Sequence, residues 1–255
     1  MMPERGLREA IEAVGGVTEL ASRLGISQPS VSNWTKVPAE RVLDVESVSG
    51  VSRAVLRPDL YCAQAVDDVD RARAQEYALL ARLLTRAPDA GLLKKIGQLR
   101  GDETPLGVVH LELAEAARRT DAAKIEREFF DLFVGVGRGE LLPYASYYLT
   151  GFLHERPLAR LREDLASIAV ARVEGIAEPE DHAGILCEIM AGLASGQLPA
   201  PQESSRMVFE KHLAPWMGRF FADLERAEAA QFYRRVGTVG RTFIEIESEA
   251  FALAA

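Results

Sequence analysis

Cysteine is scarce in this chain of 255 residues: Cys62 and Cys187 are the whole supply. They lie far apart and in no Cys-x-x-Cys pattern, so the sequence offers neither a cysteine-built zinc site nor a small disulfide scaffold. They read as reduced thiols of a cytosolic protein, with a disulfide between them left open. Long apolar runs are missing too, and nothing approaches the ~18 residues of a membrane span. The opening, "MMPERGLREAIEAVGG", carries charges where a secretory signal would carry an unbroken apolar segment. Positive charge is short: 30 Lys and Arg stand against 38 Asp and Glu, a formal net of −8. Indiscriminate attraction to nucleic acid through overall charge is disfavoured on that account. Strand-type alternation appears nowhere, and no fixed repeat relates the segments, which argues against a solenoid. What these absences leave is a soluble, cytoplasmic, all-α protein with no membrane partner.

Helical periodicity, by contrast, runs almost the whole length. Hydrophobic residues at 48% and charged residues at 27% are an ordinary globular balance, and the chain is long enough for two domains. Short helical patterns broken by "GG", "LGIS", "KVP" and "SGVS" fill the beginning. Periodicity then lapses between Pro58 and Asp68, and longer helices follow. The expected organisation is a domain over residues 1–61, a linker over 62–69 and a larger domain over 70–255. The first part carries a net charge of −1 and the remainder −7.

The stretch "VTELASRLGISQPSVSNW", residues 17–34, has a mechanical reading. Thr18 to Leu24 form one short helix, and Gly25 supplies the positive-φ position of a tight turn. Ser27 caps a second helix, with Pro29 in its first turn, where a missing N–H is harmless. Leu20, Leu24, Ile26, Val31 and Trp34 glue the two helices together, and Ala21 is small where they cross. This spacing resembles the helix-turn-helix of Cro-like regulators. With the following "VPAERVLDVESVSGVSRAVLRPDLY" it is similar to the small Cro-type domain often called YdaS-like, over about residues 5–61. The resemblance implies that duplex DNA is a partner, with the second helix in the major groove. Gln28 would then read adenine, Ser30, Ser32 and Asn33 would be short polar groups on the exposed side, and Lys36 and Arg41 would contact phosphates. The low positive charge keeps open the alternative of a protein-interaction module that has lost DNA binding.

Two stretches in the larger part invite chemical readings. "GVGRG", residues 135–139, follows a helical pattern rather than a strand and lacks a Lys-Ser or Lys-Thr pair, which argues against a phosphate loop. "EPEDHAGILCEIMAGL", residues 178–193, gathers Glu178, Glu180, Asp181 and His182 before an apolar helix. Pro179 suits a first helical turn, and Glu180 and Asp181 there are favoured by the helix dipole. Ile185, Leu186, Ile189, Met190 and Leu193 form the buried stripe. Only His182 is a good nitrogen ligand and no nucleophile motif accompanies it, so no metal, catalytic or cofactor site is expected.

Taken together, "EFFDLFVGVG", "LPYASYYLTGFLHERPL", "EPEDHAGILCEIMAGL" and "FEKHLAPWMGRFFADLERAEAAQFYRRVGTVGRTFIEIE" resemble the TorD family of redox-enzyme maturation chaperones, which includes DmsD and NarJ. The resemblance spans about residues 70–255. It implies an all-helical, non-catalytic bundle that binds the twin-arginine signal peptide or the body of a molybdoenzyme catalytic subunit, of which a formate dehydrogenase is one type that would fit. On the matching motifs the client-peptide contacts would be Tyr144, Ser146, Tyr148, Glu178, Asp181 and His182. Plain packing with a bonded hydroxyl is the alternative for the tyrosines. The resemblance also leaves weak guanine-nucleotide binding open, and homodimer formation stays open as well.

The resulting reading is a small helix-turn-helix domain followed by a larger TorD-like helical domain: a maturation chaperone whose DNA-binding module couples client state to transcription. The rival reading is a one-component transcription regulator whose helical C-terminal domain senses a small ligand.

Overall fold

The computed structural model describes residues 4–58, 60, 68–171, 178–198, 200–201 and 203–253. The chain divides into two compact units, Met1–Asp67 and Asp68–Ala255. Every regular element among the described residues is helical, and the only β-type pairing there is an isolated bridge between Tyr144 and His182. None of these helices is long and apolar enough to cross a membrane.

The first unit is built from α1 (Arg5–Val14), α2 (Val17–Arg23), α3 (Gln28–Ser32), α4 (Val42–Ser49) and α5 (Arg53–Leu56). Its core gathers Leu7, Ala10, Leu20, Ala21, Val31, Val42, Val45 and Leu56, with Leu24, Ile26 and Trp34 packed against it. The turn between α2 and α3 depends on Gly25, whose φ of +66° is one that L side chains rarely adopt. Ser27 does stand at the N-cap of α3, but its hydroxyl makes no cap bond; it pairs with the Ser30 hydroxyl at 2.7 Å.

The second unit opens with α6 (Asp68–Thr85), so the helix begins inside the segment expected to link the domains. Residues 62–67 of that segment, and Cys62 with them, lie outside the described residues. There follow α7 (Ala90–Ile96), α8 (Pro105–Arg118), α9 (Ala122–Phe129), α10 (Ala145–Thr150), α11 (Arg156–Ser167), α12 (Ala183–Ala194), α13 (Ser204–Val208), α14 (Met217–Arg226) and α15 (Phe232–Leu253). Helices α9 and α13 each run on into a π-helical turn, Phe130–Val134 and Phe209–Leu213. The core joins α6 and α12 (Tyr77, Leu80, Leu84 with Leu186, Cys187, Met190) to α14 and α15 (Phe220, Phe221, Leu224 with Val236, Val239, Phe243). Cys187 is a free, buried thiol, and burial pushes its pKa up.

Carboxylates fasten the elements at their ends. Glu128 accepts the backbone N–H groups of Gln231, Phe232 and Tyr233 at 2.8, 3.2 and 2.7 Å, covering the otherwise unsatisfied start of α15. Glu247 takes a bidentate pair from Arg73 at 2.7 and 2.8 Å and the Tyr77 hydroxyl at 2.8 Å, tying α6 to α15.

Candidate functional site

The two motifs of the larger unit meet through their backbones. The Ala145 N–H donates to the Asp181 carbonyl at 2.9 Å, and the Ala183 N–H donates to the Pro143 carbonyl at 2.7 Å. Side chains reinforce the seam. The Asp181 carboxylate accepts the Ser146 N–H at 2.9 Å and its hydroxyl at 2.5 Å. Asp181 therefore satisfies the first two N–H groups of α10, one with its backbone and one with its side chain, and puts negative charge at the positive end of that helix.

Helix α12 starts later than the sequence suggests. Its N-cap is His182, whose Nδ1 accepts the Gly184 N–H at 3.1 Å, and its first turn holds no acidic residue. Pro179, Glu180 and Asp181 belong to the turn before it, because the pairing with Pro143 and Ala145 holds that backbone out of the helix. Burial drives the His182 pKa down to about 4, so the ring is neutral and free to accept at Nδ1. The ring packs edge-on against Tyr144, whose ring centroid lies 5.1 Å away.

Of the six residues expected to touch a client, three are thus turned inward: Ser146, Asp181 and His182 are all buried. The others face outward to differing degrees. Glu178 is exposed and accepts the half-buried Tyr144 hydroxyl at 2.6 Å; burial and then that carboxylate raise the tyrosine's pKa. Tyr148 is half-buried and donates to Asp223 of α14 at 3.0 Å. Glu180 is buried against Arg162 at 2.8 and 3.0 Å. Large apolar side chains stand in solvent at the end of α10 and just beyond it: Leu149, Phe152 and Leu153.

Sequence reasoning missed the groups that α14 and the "GVGRG" turn bring to α10. Arg219 donates to the Tyr148 carbonyl at 2.8 Å, and Arg138 donates to the Tyr147 hydroxyl at 2.9 Å. No local pattern announces either contact, the first of which joins residues 71 apart. The "GVGRG" turn itself follows a π-helical turn, with Gly135 and Gly137 at φ of +63° and +87°. No group of three or more His, Cys, Asp or Glu able to hold a metal occurs among the described residues.

In the first unit, Gln28, Ser30, Ser32, Asn33 and Lys36 are all exposed. Gln28 is steadied by a 3.2 Å bond from its amide to the Ser32 hydroxyl. Arg41 is half-buried and pairs with Asp44 at 3.3 Å, so a phosphate would have to compete for it.

Residues 100–222 match the family described as nitrate reductase delta subunit, and residues 7–65 match the one described as bacterial toxin YdaS. Chaperone protein TorD of Vibrio cholerae serotype O1 is 30% identical over 158 residues, which is 56% of this chain and 72% of the relative. TorD of Aliivibrio fischeri is 25% identical over 154 residues, with the same two coverages of 56% and 72%. TorD of Shewanella loihica is 21% identical over 204 residues, 71% of this chain and 93% of the relative. The crystal structure of a candidate redox enzyme maturation protein from Archaeoglobus fulgidus aligns with a TM-score of 0.45 and 21% identity, over 69% of this chain and 93% of that one.

Proposed function

The chain belongs to the TorD family of chaperone proteins, and from that premise we propose that it matures a molybdenum-containing oxidoreductase by holding the twin-arginine leader of that enzyme beside α10. The observation that carries this reading is the arrangement along one short helix. At its start an exposed carboxylate, Glu178, is oriented by the Tyr144 hydroxyl, and at its end stand the exposed Leu149, Phe152 and Leu153. A twin-arginine leader presents guanidinium groups followed by an apolar segment, the complementary order. The net −7 of the larger part favours encounter with such a basic peptide. In this reading Glu178 and Tyr144 touch the client, and Asp181, Ser146 and His182 hold α10 in place for them. The family is one of chaperones rather than catalysts.

Calorimetric titration of the full chain with a synthetic twin-arginine leader tests the idea. One lost charge-assisted contact is worth about 1.5–3 kcal/mol, so Glu178→Ala should weaken binding by about tenfold or more. Unchanged affinity in that variant would move the leader site elsewhere.

A second reading concerns the first unit, which matches a helix-turn-helix family. The exposed row of Gln28, Ser30, Ser32 and Asn33 on and beside α3 supports duplex DNA as its partner, with the second helix of the motif reading the major groove. Client and DNA on one chain would allow one to influence the other, by a coupling that must be equal in both directions.

A further inference from the structure

A cavity of about 540 Å³ opens between α10 and α14, away from the Tyr144–Glu178 contact. Its wall on one side is Tyr147, Tyr148 and Leu149, and on the other Arg219, Asp223 and Arg226. The charge here runs against that of the unit around it. Asp223 is already engaged by the Tyr148 hydroxyl at 3.0 Å. Arg219 is held with its guanidinium 6.0 Å from the Tyr148 ring centroid, bonded to a backbone carbonyl and not to a carboxylate. Arg226 is exposed and pairs with no carboxylate among the described residues. Arg138 adds a third guanidinium beside Tyr147, 5.3 Å from that ring's centroid.

Many other arginines of this chain do have carboxylate partners, as Arg73, Arg162 and Arg241 do. Guanidinium groups not joined to a carboxylate, over a tyrosine wall and next to exposed apolar side chains, suit an incoming carboxylate. The cavity is open to solvent, and the exposed Phe152 and Leu153 continue the apolar surface beyond Leu149, so it suits a length of chain better than a small enclosed molecule.

We propose that this cavity binds an acidic peptide segment with apolar neighbours, its carboxylates on Arg219 and Arg226 and its apolar side chains against Tyr147, Leu149 and Phe152. That the segment comes from the client rests on the chaperone reading above; the binding chemistry does not. Leader and acidic segment would share Leu149 and Phe152 and so compete for the end of α10, each taking its charged contacts from a different place, Glu178 for the leader and the α14 arginines for the acidic segment. The second site would let the chaperone recognise a client whose leader is absent.

The test is calorimetry on the full chain with three capped hexapeptides, Glu-Glu-Leu-Ala-Phe-Leu and its Gln-Gln and Arg-Arg counterparts. The acidic peptide should bind about tenfold more tightly than the Gln-Gln peptide. Arg226→Ala should erase most of that preference, and Arg226→Glu should turn it towards the Arg-Arg peptide, with melting curves recorded to show that both variants fold. Equal affinity for the acidic and Gln-Gln peptides, or an acidic preference that survives Arg226→Glu, would overturn the proposal. So would displacement of the acidic peptide by inorganic phosphate beyond that caused by chloride at equal ionic strength, since the occupant would then be a small phosphate-like anion. Glu178→Ala separates the two sites: it should weaken the twin-arginine leader and leave the acidic peptide untouched. Loss of acidic binding with leader binding intact condemns the cavity alone, and the converse condemns the leader site alone.

Discussion

The Asp181 carboxylate accepts both hydrogen-bond donors of Ser146, across 35 residues of sequence, in a place that water does not reach. A charge so placed is tolerable only while its donors are present.

Removing either partner should therefore cost more than a surface bond. Ser146→Ala strips the hydroxyl from a buried carboxylate, and Asp181→Ala strips the cap from α10; each should lower unfolding free energy by about 1.5–3 kcal/mol. Urea unfolding followed by circular dichroism reads the effect directly. A midpoint within error of the parent for both variants would mean that the seam contributes nothing to stability.

Histidines set the pH response. Burial lowers His182 to about 4, whereas an unfolded histidine titrates near ~6.5, so the folded state binds fewer protons between those values. Its contribution is whole above pH ~6.5 and drains away as the pH falls towards ~4, on the order of 3 kcal/mol in all. His212, lowered by burial and partly held up by Asp164, acts with the same sign. His110 is raised by its hydrogen bond to Glu76, so its contribution is present below pH ~6.5 and is lost as the pH rises through its higher folded value. Stability should peak near pH ~6.5. His182→Asn keeps a side-chain acceptor at the cap and should flatten the acid limb between about pH 5 and 6.5, with His212's share left over. An acid limb of unaltered slope would show that His182 is not the group responsible.

Gly240 lies where α15 packs on the Phe221 ring of α14. A Cβ there would lie 2.2 Å from the Phe221 ring, which is fully buried and stacked 5.1 Å from Phe220. Alanine gains about 1 kcal/mol of helix propensity over glycine, but forcing that ring aside costs about 1–3 kcal/mol or more, so Gly240→Ala should destabilise. Gly218→Ala, where a Cβ meets nothing within 4 Å, should hold or raise the melting temperature. The same response from both variants would contradict the packing described for the pair of helices.

For the helix-turn-helix unit, Gln28→Ala should reduce discrimination between DNA sequences by about 1–3 kcal/mol if its amide reads a base. Lys36→Ala should weaken all sequences alike and flatten the salt dependence. Selection of genomic fragments by the purified protein at low salt provides the sites; enrichment of none would leave the unit as a protein-interaction module. Repeating the titration with leader peptide present measures the coupling, and two unchanged affinities would exclude it.

The helices are legible because burying one face leaves a 3.6-residue period in the sequence, and the turn at Gly25 because only glycine takes its φ cheaply. The meeting of the Tyr144–Tyr148 and Glu178–His182 stretches is foreshadowed only by resemblance, and its geometry is not readable locally. Asp181 looks like a first-turn helical acid, yet its backbone is claimed by Ala145 and its carboxylate by Ser146, competitors that periodicity cannot see. Ser27 has the composition of a cap, and the hydroxyl of Ser30 becomes its partner instead. Arg219, Asp223 and Glu128 act over 71, 75 and more than 100 residues, and no spacing rule reaches that far.

The clasp of Glu247 on Arg73 and Tyr77 has a consequence for how the protein is born. The joined residues are 174 positions apart, so α6 leaves the ribosome long before the carboxylate that completes it. Until then Arg73 has Asp70 of its own helix but not its bidentate partner, the Tyr77 hydroxyl lacks its acceptor, and the α6 face that will meet α15 has nothing to lie against. Among the described residues the first unit shows no such late arrival: its buried Arg57 bonds the Val37 carbonyl at 2.6 Å, and its core is gathered from residues up to Leu56. Translation should therefore release a finished helix-turn-helix while the larger unit still waits for its last helix. Any nascent chain stalled before Glu247 would carry a folded helix-turn-helix unit ahead of an unfinished chaperone unit.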